Sequence, residues 1–121
     1  MNQENTKLKE NIIDQAKYYL ENANEFYPFG GALKNNRIIP IGVYIDDERP
    51  ESHKIFEILQ RQILMGLKMG EYEIAAIGLD VFFKNTHPCL QIILYHFEKT
   101  DNFYYLYTKE ENKYLFKEVK N

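Results

Sequence analysis

The most continuous apolar pattern in the chain lies in residues 71–98 and predicts two buried β-strands. In Ile74–Phe83 and in residues 90–97, apolar residues occupy both sets of alternate positions; the exceptions are Asp80 in the first run and Gln91 and His96 in the second. A half-exposed strand alternates apolar with polar residues, whereas a strand covered on both faces is almost continuously apolar. Residues 85–88 between the two runs favour a turn, because Asn tolerates turn geometry and Pro cannot donate a ladder hydrogen bond. We therefore expect a hairpin central in its sheet, with a turn of three, four or five residues.

Apolar residues at spacings of three and four predict two helices, at residues 5–26 and 50–69. The first is predicted to pack on the sheet, with a partner-binding helix as the alternative, and to stop before Pro28, which disfavours helical backbone in the preceding residue. The second begins at a proline within an acidic cluster, as is typical of helix N-termini, and ends before a glycine. Met65 and Met69 widen its apolar stripe. Core filling is the favoured interpretation for both, and an adaptable binding surface is the alternative.

Short apolar runs elsewhere predict strands at residues 29–34, 37–45, 103–108 and 113–119. Asn35 and Asn36 favour a tight turn in the first pair, and Asp101 and Asn102 favour another turn before the last pair. The resulting order is helix, two strands, helix, then three to four strands, without regular strand–helix alternation. We therefore predict one α+β domain over residues 1–121, with a mainly antiparallel meandering sheet packed by two helices. This order resembles that of roadblock and profilin-like domains.

Composition narrows the function classes. The chain has 121 residues, 45% of them hydrophobic, with 10 tyrosines and 8 phenylalanines, which is enough for one packed core. A net charge of −3 argues against nucleic acid as a partner, because phosphate binding needs clustered Lys and Arg. Cys89 is the single cysteine, so no intrachain disulfide can form. The polar N-terminus and the lack of a long apolar run predict a soluble cytoplasmic protein that does not contact the membrane.

Asp80 and His96 are the candidate catalytic residues. A buried carboxylate without a partner is costly, and perturbed carboxylates cluster at functional sites. An odd-length turn would place both residues on one sheet face, where an Asp–His pair can orient a general base, but no matching nucleophile is evident. In the alternative, Asp80 bonds to tyrosine hydroxyls or lies on a partly wet face. His87, Cys89 and His96 lack zinc-site spacing, and the acidic cluster lacks EF-hand spacing, so we predict no metal and no cofactor.

Tyrosines are concentrated near the C-terminus, at Tyr104, Tyr105, Tyr107 and Tyr114. Tyrosine combines an apolar body with a polar tip and is enriched at interfaces, so we expect an interaction surface here. The first hypothesis is therefore a non-enzymatic module that binds another protein, or binds itself as a homodimer. Immunity proteins that neutralise bacterial toxins are one class of such modules. The alternatives are a small-molecule-binding domain, with a pocket between sheet and helices, and an enzyme that uses Asp80 and His96.

The segment FYPFG at residues 26–30, followed by a turn, a strand, a second helix and the strand IAAIGLDVFF, carries a family resemblance. In these features the chain resembles a group of small bacterial proteins with a helix-end F-[Y/W]-P-F-[G/A] segment. The resemblance spans most of the chain and implies a bacterial protein. The group has no established activity, so the resemblance implies no catalytic residues. Physically, Pro28 is expected to stop the helix while the aromatic residues anchor its end to the sheet.

Overall fold

The computed structural model describes residues 3–43 and 50–120, which form two helices and six strands. In chain order these are α1 (Gln3–Ala23), β1 (Phe29–Lys34), β2 (Arg37–Ile41), α2 (Ser52–Lys68), β3 (Ile74–Phe83), β4 (His87–His96), β5 (Lys99–Glu110) and β6 (Lys113–Glu118). The strands form one antiparallel sheet in the order β2-β1-β3-β4-β5-β6. The predicted α+β class and meandering sheet are confirmed, with four strands after α2 and the predicted hairpin in the middle.

The two helices lie on opposite faces of the sheet, which we call the α1 face and the α2 face. Successive residues of β3 point to opposite faces. Ala76 therefore packs in a core with Leu8 and Ile12 of α1, whereas Ile77 packs in a second core with Leu59 of α2. Burial on both faces explains why β3 is almost continuously apolar.

The predicted aromatic anchor at the end of α1 is present. Phe29 is buried, and its ring meets the rings of Phe26 and Tyr19 edge to face, at centroid distances of 5.5 and 5.2 Å. The Phe29 ring also lies over Gly78 of β3. A Cβ added at Gly78 would lie 2.7 Å from Cζ of Phe29, so only glycine fits this position without displacing the ring.

The predicted stop of α1 at Pro28 is wrong. The helix ends at Ala23, because Asn24 takes a left-handed conformation with φ of 62° and donates its N–H to the carbonyl of Leu20 at 2.9 Å. Asparagine tolerates this conformation and is a common helix terminator. Pro28 follows in the extended connection to β1.

The predicted turn at Asp101 and Asn102 is also wrong. Both residues lie inside β5, where they pair with Leu94 and Ile93 of β4. The chain turns earlier, at Phe97 and Glu98, and Glu98 has φ of 66°. Two-residue hairpin turns favour positive φ, for which Glu has no preference, so the length of the β4–β5 ladder outweighed the local turn preference of Asp and Asn.

β2 is an edge strand, as expected for a strand that contains a proline, and β6 forms the other edge. β2 ends at Ile41, short of the predicted position 45. Residues 44–49, which include the acidic residues 46–48, lie outside the described part of the chain. None of the described helices is long and apolar enough to cross a membrane.

Candidate functional site

The turn between β3 and β4 decides whether Asp80 and His96 can meet. The turn has three residues, so Phe83 pairs with His87 and Asp80 pairs with Leu90. This odd-length turn places Asp80 and His96 on the same face, as expected. His96, however, lies six residues beyond Leu90 along β4, which corresponds to about 20 Å. The two side chains therefore do not form the pair needed to orient a general base.

Asp80 and His96 instead contact different groups on β5. The hydroxyl of Tyr107 donates a hydrogen bond to Oδ1 of Asp80 at 2.7 Å, which confirms the alternative of a tyrosine-bonded carboxylate. Burial raises the pKa of Asp80; the Tyr107 hydrogen bond opposes that shift, and the charge of Glu25 adds to it. Nε2 of His96 lies 3.9 Å from Asp101. The register of β5 thus supplies both contacts, and the Asp80–Tyr107 contact joins residues 27 apart.

A groove of about 250 Å³ runs beside Asp80, where β3 continues past the end of β1. It is lined by Phe26, Pro28, Ser52, His53, Phe56, Leu79, Asp80 and Val81. The walls are mostly apolar, and Asp80 is the acidic residue among them. Within residues 3–43 and 50–120, no three His, Cys, Asp or Glu side chains gather to hold a metal ion.

The four C-terminal tyrosines do not share one exposed surface. Alternation along β5 puts Tyr104 on the α2 face, whereas Tyr105 and Tyr107 point to the α1 face with Tyr114. Tyr105 and Tyr114 are only 8% and 7% exposed and belong to the core beneath α1. Tyr104 leans against Phe83, with ring centroids 6.3 Å apart. Contact between any of these tyrosines and a partner stays a prediction.

An exposed apolar surface lies around the C-terminal half of α2. Among the described residues, nine large apolar side chains are exposed, and five of them occur here. We call these five the α2 surface: Ile39, Leu64, Met65, Met69 and Phe97, each between 38% and 66% exposed. Core filling by Met65 and Met69 is therefore wrong, and the alternative of an exposed surface fits. One signal was present in the sequence, since Ile55, Leu59, Ile63 and Leu67 at spacings of four already complete a buried stripe.

Two grooves flank α2 within this surface. The first, of about 450 Å³, lies between Met65 and the Ile39–Pro40 edge of β2, with Tyr72 at its wall. The second, of about 260 Å³, lies between Leu64 and Phe97 at the β4–β5 turn and is also lined by Lys68. The α2 surface therefore presents two depressions, one on each side of the helix; the second is mostly apolar, whereas the first is also lined by Gln62 and Glu71.

The two helices carry opposite charge on their exposed sides. The exposed charged residues of α2 are three cations and one anion: Lys54, Arg61, Lys68 and Glu57. The exposed charged residues of α1 are four anions and one cation: Glu4, Glu10, Asp14, Glu21 and Lys7. The exposed side of α2 is therefore net basic and that of α1 net acidic, within a chain of net charge −3.

Comparison with known proteins does not assign a family. No protein-family model matches the sequence, and no curated protein or solved structure gives a significant match. The function is therefore inferred from the surfaces and grooves described above.

Proposed function

We propose that this protein is a non-enzymatic protein-interaction module that binds its partner through the α2 surface. The observation that supports this proposal is that five exposed apolar side chains lie around the C-terminal half of α2. Exposed apolar side chains gathered in one region of a protein surface commonly mark interaction sites, and methionine adapts to varied partner shapes. The Asp80–His96 separation removes the arrangement on which the enzyme hypothesis depended.

The bacterial, cytoplasmic origin expected from the sequence belongs to this proposal, with immunity proteins as one class of such modules. Its support is the helix-end aromatic motif and the small, acidic composition. The experiment below distinguishes self-association as a homodimer from binding to another protein.

Site-specific photocrosslinking in cells tests the proposal. A photoreactive amino acid at position 65 is expected to give discrete covalent adducts with one or a few proteins. The matched control is position 18 on α1, because Tyr18 is also exposed, at 64%, but lies on the opposite face. Adducts of twice the chain mass that contain only this protein would indicate self-association. If position 65 gives no protein adducts beyond those at position 18, the proposal is refuted.

The Asp80 groove supports a second candidate function, the binding of a small molecule. A carboxylate held by Tyr107 at the wall of a mostly apolar groove suits an amine that carries an apolar group. Screening small amines by NMR tests this candidate. We expect shifts confined to Asp80 and its groove neighbours and lost in Asp80→Asn. Shifts that persist in this variant would contradict it.

A further inference from the structure

We infer that the α2 surface takes an acidic protein segment, with apolar side chains in the two grooves and carboxylates over Arg61 and Lys68. This inference rests on the proposed function and specifies the chemistry of the partner. Arg61 lies three and four residues before Leu64 and Met65, and Lys68 lies four and three residues after them. Positions at these spacings are neighbours on a helix, so the two cations form a ridge between the apolar sides of α2.

Neither cation is held in an ion pair among the described residues, and the one exposed anion of α2, Glu57, lies a turn before Arg61. None of the ion pairs found in residues 3–43 and 50–120 involves Arg61 or Lys68. A partner that fills both grooves must also cover the ridge between them. Covering a cation without supplying an anion incurs a desolvation penalty, whereas a carboxylate over it gives a charge-assisted hydrogen bond. The partner segment is therefore expected to carry Asp or Glu between its apolar residues.

The same charges disfavour two other occupants. A symmetric contact centred on Leu64 and Met65 would bring Arg61 of one copy against Lys68 of the other, and like charges at an interface are costly. An anionic membrane would meet the ridge but also Glu71 and Glu98, which line the two grooves. A protein segment can place its carboxylates over the ridge alone, whereas a lipid surface is negative everywhere.

Selection from a random 15-residue peptide library against the purified protein tests the inference. Binders are expected to be enriched in Asp and Glu between apolar residues. They should weaken at least tenfold in R61E/K68E, which should itself select basic peptides. The control K113E/K117E makes the same change in net charge on exposed residues of β6, at the far edge of the sheet, and should leave binding unchanged. Circular dichroism confirms that both double variants are folded.

The outcomes separate the inference from the proposed function. If Leu64→Ser and Met65→Ser together leave every selected peptide bound, the α2 surface is not an interaction site and the proposed function fails. If those substitutions abolish binding but the peptides are not acidic, or bind R61E/K68E equally well, the inference alone fails. Binding of the protein to phosphatidylglycerol vesicles, lost in R61E/K68E, would also overturn the inference, in favour of a membrane surface.

Discussion

Substitution of Gly78 by alanine tests how closely α1 and its aromatic anchor pack on the sheet. The new Cβ would lie 2.7 and 2.8 Å from Cζ and Cε1 of Phe29, and 3.0 Å from Cγ2 of Ile12. Unstrained carbon atoms stay about 3.5–4.0 Å apart, so the ring must move by roughly 1 Å. Phe29 has little room to move, because it is 5% exposed and held between the rings of Phe26 and Tyr19.

Two opposing terms set the size of the effect. Alanine restricts the unfolded chain more than glycine does, which stabilises a compatible site by about 0.4–1 kcal/mol. Overpacking of a filled core costs about 1–3 kcal/mol. The second term is larger, so we expect Gly78→Ala to lower the free energy of unfolding by about 1–2 kcal/mol. With a urea m-value of about 2 kcal/mol/M, the midpoint should fall by about 0.5–1 M.

Urea denaturation followed by circular dichroism measures this change. The control is Gly42→Ala, where an added Cβ has no atom within 4 Å and the midpoint should stay nearly constant. Phe29→Leu removes the ring atoms nearest to the new methyl group. In that background Gly78→Ala should cost about 1 kcal/mol less than in the native protein. An equal cost in both backgrounds, or a stabilised Gly78→Ala, would refute the assignment of the effect to the Phe29 ring.

Three further predictions concern separate sites. Because the folded-state pKa of Asp80 is raised above 3.8, this group lowers stability as pH rises from about that value through the folded pKa. The stability of Asp80→Asn, relative to that of the native protein, should therefore increase between pH 3 and pH 7 when both are measured by urea denaturation. If the difference in free energy of unfolding between the two proteins is the same at both pH values, the prediction is contradicted. Cys89 is buried, and burial is the main cause that raises the pKa of its thiol. At pH 8 a thiol reagent should therefore react at least about 100-fold more slowly with the native protein than with the urea-unfolded protein. Equal reaction rates would contradict this prediction. Gly66→Ala should lower the melting temperature, because the new Cβ would overlap the Tyr72 ring. This cost is expected to exceed the gain of about 1 kcal/mol from the higher helix propensity of alanine. Adding Tyr72→Ala should relieve that overlap, and no relief would exclude it as the cause.

Periodicity was a sufficient guide to the strands and helices but not to their ends. Ile74–Phe83 was predicted correctly, because burial on both faces leaves a continuous apolar run. The turn at Glu98 was missed, because glutamate has no preference for positive φ and the pairing of β4 with β5 imposes it. The end of α1 at Ala23 was missed because Pro28 is the stronger stop signal in the sequence, whereas the helix ends five residues before it.

The candidate site depended on information that one segment of sequence does not contain. The Asp80–Tyr107 hydrogen bond joins residues 27 apart and follows from the registers of two ladders. Exposure of Met65 depends on how much of α2 the sheet covers, which the helix pattern alone does not determine. A buried stripe complete without Met65 and Met69 was the available sign that these residues face outward.

The opposite net charges on the exposed sides of α1 and α2 contribute a component normal to the sheet to the electric dipole of the molecule. Two such molecules attract most strongly when the acidic side of one approaches the basic side of the next, which is a head-to-tail contact without closure. Such contacts lengthen into rows as concentration increases. At physiological ionic strength the Debye length is about 8 Å, so the attraction between exposed charges is largely screened. Ionic strength is therefore expected to affect how this protein associates in concentrated solution.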